Sequence, residues 1–420
     1  MSATSEQPLT GSDAFSLFSG EFAENAAPLF AQLRMMGPLF PLPGMILGTD
    51  RQGWVVTRMD EAVQILKDAT HFTVDPRSIG GGNPFGNYFG ESGEASDTPA
   101  FFTPGGSMLM VDDPDHRRLR ALVSKAFTPK YIESLRPRVQ EIADELLDAA
   151  QARGHMDIIE EYAFPLPINV ISEMLGVPKS DWEQVRDLSG ALATGLGARD
   201  PNVMAHMRAF GEYTAQLVAE KRWRPADDLI SQLIAMETEG DRLSETELVS
   251  MLALLIFAGH ETTSNLIGTG ALMLLDHPDQ LEKLKADLSL VPSAVEELLR
   301  FNGPATTTGP RFATEDIELA GQQIKKGDLM IVALLSANHD ETQFTDPAEL
   351  DIARKLNRHV AFGYGIHVCL GAPLARLEGD IAFTTLLKRM PNLRLSIPRD
   401  KITWNVTLNS RRLTALTVDF

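Results

Sequence analysis

Cysteine is almost missing from this chain: Cys369 is the only one in 420 residues. An internal disulfide is therefore excluded, which suits a reducing compartment and predicts a cytoplasmic protein. Basic residues are also scarce, with 38 Lys and Arg against 57 Asp and Glu and a formal net charge of −19. Such a balance argues against non-specific binding to nucleic acid or to an anionic membrane surface. Long apolar runs are absent too. The longest, Leu248 to Gly259, stops at His260 and Glu261, too short to span a bilayer. The opening MSATSEQPLTGSDAF has no basic segment followed by an apolar one, so neither a signal peptide nor a membrane anchor is expected.

What remains is ordinary globular material, 44% hydrophobic and 23% charged, enough for a large core. Helical spacing dominates, over 59–69, 114–127, 130–153, 158–175, 179–193, 201–223, 226–238 and 245–276. Strands are expected at 53–57, in pieces of 317–340, and around a turn near Asn405 to Asn409. Residues 1–20 read as a flexible polar segment. No Pro/Ser linker divides 21–420, which predicts one domain, mainly α with a small β portion. From Thr70 to Asp115 no periodicity appears, yet Phe85, Tyr88, Phe89, Phe101 and Phe102 are interleaved there. Disordered segments are usually poor in aromatics, so this stretch predicts a functional lid.

The helix expected at 245–276 is well bounded. Ser244 and Glu247 fit a capping box and Pro278 follows its end. At 1.5 Å per residue it spans about 48 Å, enough to cross a domain. Its first half is apolar nearly all round, yet AGHETTSN (258–265) interrupts it with Glu261 and two threonines. Buried charge is expensive unless paired, so this notch either pairs structurally or faces a cavity.

Cys369 sits in HVAFGYGIHVCLG (359–371), among three glycines, two residues after His367 and just ahead of a helical run at about 371–390. A lone cysteine is most often an inert buried thiol. With His367 and His359 it offers three zinc ligands, but no thiolate-rich or His-x-x-x-His partner accompanies them. A Cys–His nucleophile finds no orienting Asn or Asp nearby. Elsewhere, Glu297 and Arg300 are three apart on one helix face, and His116 and Arg120 four apart on another.

Taken together these segments resemble the cytochrome P-450 monooxygenases. FGYGIHVCLG matches that family's haem-binding pattern, Phe-Gly-x-Gly-x-x-x-Cys-x-Gly, at Phe362, Gly363, Gly365, Cys369 and Gly371. AGHETT matches its oxygen-helix motif and Glu297-x-x-Arg300 its Glu-x-x-Arg, all in order from about residue 20 onward. The resemblance implies a triangular helical prism with a long central oxygen-binding helix. It implies haem b with Cys369 as axial thiolate, favouring O–O cleavage. A thiolate needs positive potential, which a following helix N-terminus supplies. His116, Arg120, Arg311 and His367 match the propionate-binding positions, with Phe362 and Gly371 beside the haem. Ala258 and Gly259 are small where the helix must leave room for O2, while Thr262 and Glu261 match the pair that delivers protons. Glu297 and Arg300 are implied to be structural, bracing the cysteine side with the region around Asn357.

Substrate contacts are implied for Phe85, Leu255, Ala305, Thr306, Val406 and Thr407. The small, partly polar linings predict a roomy pocket for a macrolide, polyketide, terpenoid or steroid-like compound, with a short fatty acid as the alternative. The resemblance is nearest to bacterial members that tailor natural products. No flavin or iron–sulfur module is visible, so electrons are expected from NAD(P)H through a separate ferredoxin or flavodoxin and its reductase. Arg117, Arg118, Lys125, Lys130, Arg354, Lys355 and Arg358 are the candidate docking cations on a monomer. Other readings are a haem-thiolate sensor, which needs no Glu261–Thr262 pair, and a peroxide-driven oxygenase, whose arginine-based site AGHETT lacks.

Overall fold

The computed structural model describes residues 20–42, 51–80, 106–198, 202–236, 243–355, 357–406 and 409–420. The chain enters through α1 (Gly20–Met36), strands β1 (Leu39–Leu42) and β2 (Gly53–Val56), α2 (Met59–Lys67) and β3 (Phe72–Thr73). The expected lid is described only at its ends, as short 3₁₀ turns at Pro76–Ile79 and Met108–Met110. Phe85, Tyr88, Phe89, Phe101 and Phe102 lie outside the described residues.

Prolines decide where the next helices start. After α3 (Asp115–Ser124), the single helix expected over 130–153 is two: α4 (Pro129–Ser134) and α5 (Arg136–Gln151), each with proline in its first turn. The ring has no N–H to donate and fits where the helix needs none. Strand β4 (His155–Asp157) follows. The helix expected from 158 opens instead as a wide turn, with Phe164 N–H donating to the Ile159 carbonyl at 3.0 Å. Regular helix α6 (Pro165–Leu175) begins only at the next proline and ends at left-handed Gly176, φ 83°. The segment expected at 179–193 starts at 182 and runs further, as α7 (Trp182–Ala198). It is followed by α8 (Val203–Trp223) and α9 (Leu229–Met236).

Helix α10 (Glu245–Asp276) has the expected length, and its capping box is formed: Ser244 Oγ accepts from Glu247 N–H while Glu247 accepts from Ser244 N–H. It packs on α6, α8 and later helices, with residues 248, 250–256 and 263–274 buried. Helices α11 (Pro278–Ala286) and α12 (Val291–Asn302) follow. Then come β5 (Arg311–Ala313), β6 (Ile317–Leu319), β7 (Gln322–Ile324) and β8 (Leu329–Val332). Short α13 (Leu334–Ala337) leads to the cysteine loop and α14 (Ala372–Arg389). The end is strand: β9 (Arg394–Leu395), β10 (Trp404–Val406), β11 (Arg411–Leu413) and β12 (Thr417–Asp419).

The main sheet has the order β1-β2-β8-β5-β3, with β2 and β8 parallel and the other neighbours antiparallel. Three smaller sheets pair β10 with β11, β4 with β12 and β9, and β6 with β7. One large apolar cluster joins α3 to α10 with α14, and a second lies under the main sheet and α2. Among the described residues no helix is long and apolar enough to cross a membrane.

Candidate functional site

The cysteine loop is held by its own backbone. Cys369 N–H donates to the Phe362 carbonyl at 2.9 Å, Gly363 N–H to Val360 at 2.8 Å and Val368 N–H to Gly365 at 3.1 Å. Gly365 (φ 75°) has a specific reason to be glycine. A side-chain carbon there would lie 2.1 Å from the Leu66 carbonyl oxygen, because the loop presses on the end of α2. Gly371 differs: its φ of −81° is ordinary, and an added carbon would touch Cys369 Sγ at 4.0 Å. Its part is to cap α14. Cys369 is exposed on one side. Burial by the surrounding protein pushes its thiol up, while the N–H groups of Gly371 and Ala372 and the charges of Arg120 and Arg376 pull it down. Those donors favour a thiolate without completing its stabilisation, and a bound cation at the sulfur would complete it.

Around this sulfur the structure gathers nitrogen donors from three separate segments. His116 and Arg120 come from α3, Arg311 from β5, and His367 from the loop. The His116 and His367 rings stand 4.2 Å apart. Burial, with the nearby charges of His367 and Arg120, lowers His116 to about 4. Burial also lowers Arg120, and lowers Arg311 to about 10 against the opposing charge of Asp112. His367 Nε2 is buried without a hydrogen bond, Asp112 being 3.8 Å away. Neither Arg120 nor Arg311 hydrogen-bonds or ion-pairs among the described residues. Unpaired buried donors are costly, so this group is built to receive anionic oxygens. A cysteine at a helix N-terminus beside such donors fits a haem with two propionates.

The remaining candidates fall in four places. Glu297 and Arg300 are both fully buried, joined by bonds of 2.7 and 2.8 Å, and Arg300 also donates to the carbonyls of Asn338, Pro347 and Glu349. Asn357 Nδ2 donates to Glu297 at 3.0 Å. Arg354, counted from sequence among the docking cations, donates to the same carboxylate and is only 12% exposed. It belongs to this brace and not to a surface. Arg118 similarly ties α3 to Glu247 of α10, and Arg117 pairs with Asp113. His359, weighed as a zinc ligand, is engaged by Glu296 and Ala361 N–H.

In the middle of α10, Ala258 and Thr262 are exposed one turn apart, and Thr262 Oγ1 donates to the Ala258 carbonyl at 3.1 Å. Gly259, half-buried beside them, has a packing role as well. An added carbon would meet Ile171 of α6 at 3.0 Å, so its smallness also serves helix packing. Glu261 Oε1 lies 3.6 Å from Arg412 Nη1 on β11, with both side chains largely covered. Sequence alone could not pair residues so far apart.

Of the substrate candidates, Leu255 and Thr306 are buried, the latter's hydroxyl lacking a hydrogen bond, and Ala305 bridges to Ser410. Val406 ends β10, its side chain undescribed; Phe85 and Thr407 lie outside the described residues. Two buried groups had no assigned role. His260 joins α10 to Ser189 of α7, and Glu378 of α14 is enclosed with both oxygens unpaired. An acid set between Leu377 and Gly379 in LARLEGDIAF was the available signal for the second.

The cytochrome P-450 family model matches residues 154–407. Cytochrome P-450 CYP107DY1 of Priestia megaterium is 47% identical over 84% of this chain and 86% of its own length. The polyketide biosynthesis cytochrome P-450 PksS of Bacillus subtilis is 41% identical over 95% and 96%. Its structure gives a TM-score of 0.84, covering 96% of this chain and 98% of that one. The myxobacterial CYP267B1, in complex with myristic acid, gives 0.88 at 41% identity, with the same coverage. In sequence and in architecture alike, the chain belongs to the cytochrome P-450 family, haem-thiolate oxidoreductases that activate O2.

Proposed function

We propose that this protein hydroxylates or epoxidises a bulky hydrophobic substrate of macrolide, polyketide, terpenoid or steroid type. Electrons come from NAD(P)H through a ferredoxin or flavodoxin and its reductase, and residues 21–420 act as one haem domain, a cytoplasmic monomer. The observation that carries the reading is the meeting of Cys369, at the start of α14, with His116, with Arg120 and Arg311, which have no partner among the described residues, and with His367, whose buried Nε2 makes no hydrogen bond. Cys369 would hold the iron, and the four donors the propionates. Bound there, haem supplies the reductive activation of O2. The chain's own residues handle protons and substrate. Thr262 holds a proton at Oγ1, parked on the Ala258 carbonyl, from which a rotation about χ1 turns it toward the open side of α10. Arg412 keeps Glu261 oriented beside it, one residue away, where it can resupply that proton through water. Burial of Leu255 and Thr306 keeps the substrate side dry.

PksS supports a polyketide-like substrate, and the myristic acid on CYP267B1 keeps a fatty acid as the second reading. For electron delivery, Lys125, Lys130, Lys355 and Arg358 are exposed and free of ion pairs among the described residues. Exposed Val368 and Tyr364 of the cysteine loop add apolar surface, suited to a small acidic carrier. A library of macrolides, polyketides, steroids and C14 fatty acid, screened for the Soret spin-state shift and followed by product analysis, tests the substrate class. Shifts confined to the fatty acid would replace it with the second reading. In Thr262→Ala, nicotinamide consumption should persist while peroxide rises. In Glu261→Gln the whole cycle should slow, by up to ~10²-fold. Unchanged ratios in both would remove the proton assignment.

A further inference from the structure

The turn of α10 that carries Glu261 and Thr262 is fixed from outside at three successive residues, each by a different element. Gly259 is pressed against Ile171 of α6, and Glu261 meets Arg412 of β11. Between them His260 is fully buried and uses both ring nitrogens. Nδ1 lies 2.8 Å from the Ile256 carbonyl and Nε2 3.1 Å from Ser189 Oγ on α7. A carbonyl can only accept, so Nδ1 carries the proton and Nε2 accepts from the serine hydroxyl. Phe164 closes the site edge-on at 5.2 Å. Ser189 is itself fully buried, so neither partner can turn to water if the bond breaks.

We propose that the Ser189–His260 hydrogen bond is a positioning link through which α7 sets the orientation of the Glu261–Thr262 turn. The proposal rests on the reading of those two residues as the proton-handling pair. Helix α7 also packs against β10, whose partner β11 places Arg412 opposite Asn405. A shift of α7 therefore reaches Glu261 by two routes, through its neighbour His260 and through the hairpin that bears its counter-ion. Thr262, two residues past His260, rides on the same turn. Apolar packing alone tolerates sliding, whereas a buried bond between two fixed groups has one register.

The test uses full-length, haem-loaded Ser189→Ala, Ser189→Thr and His260→Phe without added substrate. Amide hydrogen exchange across 256–264 should quicken about tenfold in Ser189→Ala and His260→Phe, with peptides of α12 and α14 unchanged, and Ser189→Thr should restore the wild-type rate. With a surrogate ferredoxin and reductase, the partition of consumed O2 between peroxide and water should move toward peroxide in the same two variants. Ser189→Thr should again restore it. Faster exchange without a changed partition means a structural bond only, and unchanged exchange means no link; either overturns the proposal. Thr262→Ala is the control. If its partition equals wild type, the proton-handling reading fails and takes the functional half of the proposal with it, while exchange still decides the link.

Discussion

Glu378 gives the sharpest quantitative expectation. It lies on α14, nine residues after Cys369, fully buried, with neither carboxyl oxygen hydrogen-bonded. Burial pushes it up to about 8 from 4.5, with Thr263 of α10 pulling weakly the other way. In the folded protein it is a neutral acid at pH 7. Below about pH 4.5 the carboxyl is protonated folded or unfolded, so its stabilising term is fully present. As pH rises from there to about 8, only the unfolded chain releases the proton, and stability falls by about 1.4 kcal/mol per pH unit. The full loss is about 5 kcal/mol, of which about 3 is felt at pH 7. Glu378→Gln keeps the shape and removes the titration, although its amide leaves one more donor to satisfy, at about 1–3 kcal/mol at every pH.

The pH-dependence of the difference between the two proteins is therefore the measurement. For 420 residues the entropy of unfolding is near 0.9 kcal/mol/K, so about 4 kcal/mol between pH 5 and 8 amounts to ~4 °C. Thermal melts of haem-loaded wild type and Glu378→Gln, followed by far-UV circular dichroism at half-unit steps, should show the variant gaining that much relative to wild type. A difference that stays flat with pH would mean that Glu378 is ionised in the fold, held by Thr263, and would refute the reasoning.

Other perturbations separate the parts of the site. Gly365→Ala drives a carbon into the Leu66 carbonyl at φ 75° and should cost at least about 2 kcal/mol, read as a lowered melting temperature and poor haem loading. Glu297→Gln leaves Arg300 buried without its counter-charge; a loss of about 3–5 kcal/mol is expected in denaturant titration, and a smaller one for Arg354→Gln at the edge of the brace. Lys125→Glu with Lys130→Glu should slow reduction by an acidic ferredoxin about tenfold at low salt, with the difference fading in 0.5 M salt and substrate binding unchanged; equal rates at low salt would remove these lysines from the docking face. Arg412→Gln should raise peroxide per nicotinamide severalfold while leaving the Soret spectrum intact, and a silent variant would show that Glu261 needs no external restraint.

The long helix could be read from sequence because its signals are local. A capping serine, a glutamate three residues on and a following proline depend on nearest neighbours alone. Breaks within the other helices were legible in principle, since Pro137 and Pro165 stand where α5 and α6 begin, but periodicity ran through both. The very short strands β4 and β9 exist only by pairing with β12. No propensity over two or three residues announces them. The cysteine loop was legible as a pattern, whereas the reason for Gly365 was not, because it lies in the backbone of α2 three hundred residues earlier.

The same distinction explains why the oxygen-helix motif was read correctly as a segment and incompletely as a site. AGHETT names five residue types, and only Ala258 and Thr262 face outward without a distant partner. Gly259, His260 and Glu261 take their meaning from Ile171, Ser189 and Arg412, residues between 71 and 151 positions away in the chain. A glycine small for packing and a glycine small for a ligand look alike in sequence. Three different neighbours on three successive residues fix the rotation of this turn about the helix axis, since helical residues one apart face directions about 100° from each other. With rotation fixed, a hydroxyl and a carboxylate on adjacent residues stay in one relation to each other and to whatever binds beside Ala258. That constancy is what proton transfer over fractions of an ångström requires, and a free helix face would not supply it.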